Sequence, residues 1–179
     1  MKTTTAFSRF GKLISRHKKL LFEVCLVAVV LIGISAYQQR NLLATDNQLA
    51  PSLVAEDLQG NVIDLATYGD RPVLVYFFAP WCKFCAASAD NIVRLRRMRG
   101  DDALTVLMVG LDWQDRQELV DYSTHHELNV PVLAGDASIA RNWGVYGFPT
   151  YYVLDREHRI VSRDFGYSTQ LGLLWRTWL

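Results

Sequence analysis

The sequence predicts an α/β domain with a mixed central β-sheet flanked by helices, preceded by one N-terminal transmembrane helix. Three observations predict this fold class. Beyond residue 50, short apolar runs rich in Val, Phe and Tyr alternate with longer helical patterns, an order typical of βαβ units. The last two apolar runs are joined by a short polar turn, which indicates an antiparallel pair. Near the N-terminus, one apolar stretch is nearly long enough to cross a bilayer.

Charge divides the chain into two parts of opposite sign. Residues 1–40 carry seven Lys or Arg and one Glu, a net charge of +6, whereas residues 41–179 carry twelve Lys or Arg and seventeen Asp or Glu, a net charge of −5. The second part has no basic patch with interleaved aromatic residues. Nucleic-acid binding is therefore not expected.

The apolar stretch Leu20–Tyr37 contains Glu23 and Ser35 as its polar residues. As a helix it would span about 27 Å, close to the thickness of a hydrocarbon core. Six basic residues precede the stretch and one follows it, which predicts a cytoplasmic N-terminus and export of the remainder across a bacterial inner membrane. A cleaved signal peptide is the alternative, with Gly33 and Ser35 as a small-residue cleavage site.

These patterns divide the chain into four predicted regions. They are a basic cytoplasmic leader (1–19), a transmembrane signal anchor (20–37), a polar linker (38–50) and a periplasmic domain (51–179). Fully stretched, the linker would reach about 45 Å, so a tethered domain could sample partners at the membrane.

The first half of the domain is predicted to contain a hairpin, a strand and a long helix. Ser52–Leu58 and Asn61–Leu65 flank a Gly-containing turn and are expected to pair. Val73–Ala79 is continuously apolar, as in a strand that is buried on both faces. Cys82–Arg99 has apolar residues at three-residue spacing among good helix formers, and Gly100 is a suitable C-cap.

The second half of the domain is predicted to continue the alternation. Ala103–Leu111 is another apolar run and is expected to be a central strand. Asp115 is a candidate cap for a helix that ends near Leu128. The remaining predicted elements are an edge piece at Val130–Leu133, a helix at Asp136–Trp143, strands at Tyr151–Leu154 and Arg159–Phe165, and a final helix capped by Ser168 and carrying Leu171, Leu174, Trp175 and Trp178.

Two cysteines, Cys82 and Cys85, open the long helix directly after the buried strand. At this spacing their sulfurs can close a small disulfide ring without moving the backbone. We expect Cys82 to face solvent beside unpaired helix N–H groups and the positive end of the helix dipole, which stabilise a thiolate. The pattern predicts thiol-disulfide redox chemistry with both cysteines as catalytic residues and no cofactor beyond this redox-active pair.

Two structural explanations of the pair find less support. A zinc site needs about four ligands, but Cys25 lies in the apolar N-terminal stretch, and His125 and His126 are adjacent in sequence. No metal site is therefore predicted. A static disulfide between Cys82 and Cys85 would close a very small loop and add little stability.

Two motifs of the domain resemble the hallmarks of the thioredoxin superfamily. They are FAPWCKFC at residues 78–85 and VYGFPT at residues 145–150. The start of the domain, residues 50–72, is similar to the membrane-anchored TlpA and ResA-like branch, closest to the suppressor-of-copper-sensitivity (ScsD-like) protein disulfide oxidoreductases. The resemblance covers residues 50–179 and implies a thioredoxin-like fold and protein-disulfide oxidoreductase activity.

The resemblance also implies how the site is completed. It implies a cis peptide bond before Pro149, in a loop packed against the two cysteines, and the backbone freedom of Gly147 suits such a turn. An ordinary trans proline at the start of an edge strand is the alternative. In relatives the backbone beside this proline pairs with an extended substrate segment. That pairing implies a substrate-binding role for Phe148, Pro149 and Thr150.

The residues around the cysteines are candidates for tuning the reduction potential. Lys83 is the only lysine after Lys19, and its ammonium group favours the Cys82 thiolate and a more oxidising disulfide. Trp81 and Phe84 have the opposite effect on the Cys82 thiolate, because they reduce the solvation of its charge.

One position departs from the family pattern. By alignment of the motifs, Tyr76 occupies the place at which many thioredoxins bury an Asp that serves as a base for the resolving thiol. Proton transfer to and from Cys85 is therefore expected to use water or a carboxylate that the sequence does not reveal.

The predicted function is that of a membrane-tethered periplasmic thiol-disulfide oxidoreductase. Its partners would be protein thiol or disulfide clients and a membrane thiol-disulfide electron-transfer protein. A copper(I)-binding module that uses the two thiols as soft ligands, without redox turnover, is the alternative. A peroxidase of the peroxiredoxin type would need a hydroxyl residue three positions before its cysteine, where this chain has Ala79.

Overall fold

The computed structural model describes residues 21–34, 36–37, 40, 42–100 and 102–178. The chain divides into two compact units, Met1–Arg40 and Asn41–Leu179. In the first unit, residues 21–34 are helical and their side chains are exposed. Among the described residues, no helix combines the length and the apolar character needed to span a membrane. The predicted leader 1–19 lies outside the described residues, as do residues 20 and 35 of the predicted anchor.

The described residues of the second unit form a two-stranded hairpin, a five-stranded sheet and four α-helices. The strands are β1 (Val54–Glu56), β2 (Val62–Asp64), β3 (Val73–Phe78), β4 (Thr105–Gly110), β5 (Val132–Ala134), β6 (Thr150–Leu154) and β7 (Ile160–Phe165). The helices are α1 (Lys83–Arg99), α2 (Arg116–His125), α3 (Ala137–Asn142) and α4 (Gln170–Thr177). The predicted alternation of strands and helices is confirmed, with boundaries that shift by a few residues.

The main sheet is mixed, as predicted. Its strand order is β5-β4-β3-β6-β7. Strands β3, β4 and β5 are parallel, whereas β6 runs antiparallel to both β3 and β7. The central position of β3 explains why all six of its residues are buried. The short piece predicted to lie at an edge is the edge strand β5.

The sheet separates two apolar layers. Successive residues of β3 face opposite sides, so Tyr76 and Phe78 lie in one layer and Val75 and Phe77 in the other. Helices α1, α2 and α4 cover the first layer, which also contains both cysteines of the pair. Helix α3 and the β1–β2 hairpin cover the second layer, around the buried Trp143.

The final helix differs from its prediction in two respects. Its N-cap is Thr169, whose side chain accepts a hydrogen bond from the Gly172 N–H at 3.2 Å. The predicted cap, Ser168, is wrong because its hydroxyl is buried and donates to the Tyr151 hydroxyl at 2.6 Å. The predicted apolar stripe also faces largely outward: Leu171 is 79% exposed and Trp175 is 85% exposed.

Residues 42–50, which the sequence predicts as part of a linker, lie against the domain. Leu42 is buried, and the Leu43 N–H donates to the Tyr152 hydroxyl at 3.2 Å. Leu49 forms an isolated antiparallel bridge with Arg159. The packed unit therefore begins before residue 51.

Candidate active site

The cysteine pair is positioned by the turn between β3 and α1. The Cys82 N–H donates to the Ala79 carbonyl at 3.0 Å and so closes the turn. Cys82 is then the N-cap of α1, and its sulfur accepts a hydrogen bond from the Cys85 N–H at 3.2 Å. The prediction that the cysteines open a helix after a buried strand is confirmed, with Lys83 rather than Cys82 as the first helical residue.

The prediction that Cys82 faces solvent is wrong. Only 5% of Cys82 is exposed, and the residue belongs to the apolar layer between the sheet and α1. The reason is its capping role, since an N-cap side chain turns back over the first helical turn to reach an N–H group. The exposed groups at the site are the neighbouring aromatic side chains, Trp81 at 63% and Phe84 at 67%.

Cys85 lies deeper than Cys82 and is completely buried. Both cysteines are free thiols in this structure. Burial, followed by the hydrogen bond with the Cys82 sulfur, raises the pKa of Cys85 well above its ordinary value. Cys85 is therefore held as a neutral thiol at neutral pH, next to the more accessible sulfur of Cys82.

The loop before β6 completes the site. The peptide bond between Phe148 and Pro149 is cis, as the resemblance implies. Phe148 is half-buried, packs against the apolar layer that holds the cysteines, and lies edge-on to Trp81 with ring centres 5.9 Å apart. A Cβ atom at position 147 would lie 2.8 Å from the Phe165 ring, so a residue larger than Gly147 would require this ring to move.

The structure separates the three residues predicted to bind substrate. Pro149 is buried in the loop, and Thr150 is completely buried with its hydroxyl donating to the Gly147 carbonyl at 2.9 Å. The Phe148 side chain remains partly accessible beside Trp81. Lys83 is exposed at the first position of α1.

Asp112 is a site residue that sequence reasoning did not identify. Its carboxylate accepts a hydrogen bond from the Trp81 indole N–H at 3.1 Å, and its backbone carbonyl lies 3.2 Å from the same nitrogen. Asp112 follows β4, the parallel neighbour of β3, so both loops leave the same edge of the sheet. Asp112 could have been found from the sequence through this adjacency of the two predicted strands. A cleft of about 390 Å³, lined in part by Asp112, Trp113 and Phe148, opens beside this contact.

Two buried tyrosines share the apolar layer with the pair. Tyr76 is in β3, at the position where the family pattern has an Asp, and Tyr122 is in α2. Sequence reasoning identified the first and missed the second, because nothing in the sequence relates α2 to the cysteines. Among the described residues, no group of three or more His, Cys, Asp or Glu side chains could hold a metal ion.

Comparisons with known proteins identify the family. The model of the AhpC/TSA family matches residues 47–163. The thiol-disulfide oxidoreductase ResA of Bacillus cereus is 22% identical over 87% of this chain and 92% of its own length. The thiol:disulfide interchange protein DsbE of Vibrio cholerae is 26% identical over 84% of this chain and 86% of its own length.

A solved structure supports the fold. The thiol:disulfide interchange protein of the thioredoxin family from Chlorobium tepidum superposes with a TM-score of 0.67 and 18% identity, over 75% of this chain and 97% of its own. The thioredoxin-like architecture and the ResA-like character predicted from the motifs are confirmed; the finer assignment to the suppressor-of-copper-sensitivity proteins stays a prediction. With the family match over residues 47–163, the chain belongs to the AhpC/TSA family and is a protein-disulfide oxidoreductase of the thioredoxin-like, ResA-related kind.

Proposed function

We propose that this protein is a membrane-tethered periplasmic oxidoreductase that exchanges disulfides with protein clients through Cys82 and Cys85. The observation that carries the proposal is the arrangement of the two thiols. The Cys82 sulfur caps α1 and accepts a hydrogen bond from the Cys85 N–H, and the Cys85 side chain is completely buried in the same layer. This is the geometry needed for a nucleophile and a resolving thiol.

The exchange can be written as two balanced steps. In the direction that reduces a client, the Cys82 thiolate attacks the client disulfide, forms a Cys82–client S–S bond and releases one client sulfur, which takes up a proton. Cys85 then loses its proton and attacks the Cys82 sulfur, which releases the second client thiolate and leaves a Cys82–Cys85 disulfide. Two electrons pass from the pair to the client, and the reverse sequence oxidises a client.

Exposed aromatic groups around the pair support a protein client. Trp81 and Phe84 flank the cysteines and are exposed, and the half-buried Phe148 lies edge-on to Trp81 and lines the cleft. Because Cys82 is nearly covered, a client must bring its disulfide against this aromatic rim as an extended segment. Such a rim suits an unfolded or flexible stretch of protein better than a small, strongly polar molecule.

The tether and the compartment rest on the N-terminal sequence. The basic leader, the apolar stretch at 20–37 and the acidic domain that follows agree with a signal anchor in a bacterial inner membrane. A pair of this kind needs a partner that resets it after each turnover. In this setting the partner would be a membrane thiol-disulfide electron-transfer protein.

We expect the full-length protein to remain in the membrane fraction after high-salt extraction of cells. A thiol reagent that does not cross the inner membrane should label the pair in cells whose outer membrane has been opened. Acid quenching of the same cells before labelling reports whether the pair is dithiol or disulfide, and thus whether it reduces or oxidises clients. A soluble periplasmic form that begins near Ala36 would overturn the anchor, and labelling only after complete lysis would overturn export.

The charge at Lys83 is expected to make the disulfide slightly more oxidising. In a Lys83→Met variant the reduction potential should fall by up to roughly 20 mV, because an exposed charge near a thiolate contributes about 1 kcal/mol in water-like surroundings. Equilibration of the protein in glutathione redox buffers measures this shift. Lys83→Arg keeps the charge and should match the wild type. Equal potentials in the Met variant and the wild type would mean that Lys83 is only a solvated neighbour.

A further inference from the structure

Two tyrosine hydroxyls are buried beside the pair without hydrogen-bond partners. Within the described part of the chain, three buried side-chain polar atoms lack a partner, and two of them are the hydroxyls of Tyr76 and Tyr122. The Ser88 hydroxyl lies near Tyr76 and opposes the rise in its pKa, but it donates its proton to the Phe84 carbonyl at 2.9 Å and forms no hydrogen bond of normal geometry with the Tyr76 hydroxyl. Among the described residues, no partner reaches the Tyr122 hydroxyl.

Such groups are costly, which makes their location informative. A buried polar atom without a partner destabilises a fold by roughly 1–3 kcal/mol, and native proteins contain few of them. Phenylalanine has nearly the same shape as tyrosine and would avoid the cost at both positions. Two unpaired hydroxyls in one apolar layer, from two different elements, suggest that they acquire a partner during the reaction.

The charged form of Cys85 is the partner that the surroundings offer. Tyr76 and Tyr122 lie in the same apolar layer as both cysteines. Charge on Cys85 raises the pKa of each tyrosine, and it does so more than charge on Cys82. Tyr76 is held by β3 and stacks on Tyr151, while Tyr122 is held by α2 and stacks on Phe78. Both rings are thus held by rigid elements in the layer that contains the buried thiol.

We propose that the hydroxyls of Tyr76 and Tyr122 donate hydrogen bonds to the Cys85 thiolate while it attacks the Cys82–client disulfide. The proposal rests on the roles assigned above to the two cysteines. It gives Cys85 a neutral hydrogen-bonding environment in place of the buried carboxylate of the family pattern. Tyr76 and Tyr122 are positioning residues in this scheme, because they act on the reaction through Cys85.

The tyrosines can serve only as donors and not as bases. Burial, and then the nearby Cys85, raises the pKa of Tyr76 and that of Tyr122 far above the neutral range. Both hydroxyls therefore stay protonated during turnover. Cys85 first gives its proton to water. Its thiolate then attacks the Cys82 sulfur, the new Cys82–Cys85 bond replaces the Cys82–client bond, and the client sulfur leaves as a thiolate that takes up a proton from water. The tyrosines keep their protons throughout, so the step balances without another acid or oxidant.

Other titratable groups face this cluster and must be considered in a pH profile. Cys82 lies at the start of α1, and Tyr151 stacks on Tyr76 with ring centres 6.3 Å apart. The Tyr151 hydroxyl donates to the Asp164 carboxylate at 2.9 Å, and burial raises the pKa of Tyr151, so this ring stays neutral.

His126 is the remaining titratable neighbour, with its ring centre 4.5 Å from that of Tyr122. Burial, followed by the adjacent His125, lowers the pKa of His126 below its ordinary value, against a smaller opposing influence of Asp90. The pKa of an unperturbed histidine is about 6.5, so His126 is neutral throughout a profile recorded above about pH 7.

The test separates the attack of Cys82 from that of Cys85. Reduced full-length protein, with Cys25→Ser in every sample, is mixed with an aromatic disulfide that releases a coloured thiolate. The first release reports attack by Cys82, and the second reports attack by Cys85 on the mixed disulfide. Both phases are followed between about pH 7 and pH 10 for the wild type, Tyr76→Phe, Tyr122→Phe and the double variant.

We expect the second phase to slow about tenfold in each single variant near pH 7, because a hydrogen bond to a charged group is worth that factor or more. Its pH profile should shift upward by roughly one unit, since removing a donor makes the Cys85 thiolate harder to form. The first phase should change less than twofold. Thermal stability should stay equal or rise, because an unpaired buried hydroxyl is lost.

Tyr152→Phe is the matched control. The Tyr152 hydroxyl lies on the other side of the sheet and is fully engaged, donating to the Trp143 carbonyl at 2.7 Å. This variant should lose thermal stability and keep both phases unchanged. An unchanged second phase in the Tyr76 and Tyr122 variants, or a first phase slowed as much as the second, would overturn the proposal. Second-phase release by a Cys85→Ser variant at the wild-type rate would instead refute the assigned role of Cys85.

Discussion

Replacing Cys85 with serine is expected to stop turnover and to leave client proteins attached to Cys82. Without Cys85, the mixed disulfide can be resolved only by an external thiol. An intramolecular thiol held in place has an effective concentration far above that of any free thiol in solution, so turnover should fall at least about 1000-fold. The trapped clients can be recovered from cells as complexes that dissociate on reduction.

The matched variant is Cys82→Ser, which keeps the buried thiol and removes the capping one. Cys85 is completely buried and its pKa is raised, so it should not attack clients by itself. We therefore expect almost no trapped complexes from this variant. Equal trapping by both variants would contradict the assignment of nucleophile and resolver. Tight copper(I) binding by the wild type, with no exchange of a model disulfide, would favour the copper-binding alternative.

Replacing Trp143 with alanine is expected to produce the largest loss of stability. Trp143 is completely buried on the side of the sheet opposite the cysteines, where its ring packs against Phe77 and Tyr152 with ring centres 5.4 and 5.5 Å away. Truncating a buried Trp to Ala costs about 3–5 kcal/mol, because the packing contacts are lost and a cavity remains. The unfolding temperature should fall by roughly 10 °C or more.

Trp175→Ala is the control for this prediction. It removes the same side chain from a position that is 85% exposed in α4. We expect its free energy of unfolding to change by no more than about 0.5 kcal/mol. Thermal unfolding followed by circular dichroism compares the two variants with the wild type. Large losses of stability in both variants would mean that Trp175 is covered in the full-length protein. Small losses in both would mean that the Trp143 site collapses without leaving a cavity.

The sequence alone determined the order of elements and the chemistry of the central pair. Apolar runs of strand length, a polar cap such as Asp115, and the placement of Cys82 and Cys85 after a buried strand are local features. Each depends on residues a few positions apart, where backbone propensity and capping act directly. The cis bond before Pro149 was available through the motif resemblance.

The tertiary structure decided which side chains meet around that pair. Asp112 reaches Trp81 because β3 and β4 are parallel neighbours, and Tyr122 joins Tyr76 because α2 packs on the same side of the sheet as α1. The burial of Cys82 likewise depends on packing that a helical pattern does not record. These contacts join residues thirty or more positions apart, and they follow from how elements cross and pack rather than from any local pattern. Sequence therefore predicted the reacting atoms, and the fold decided what surrounds them.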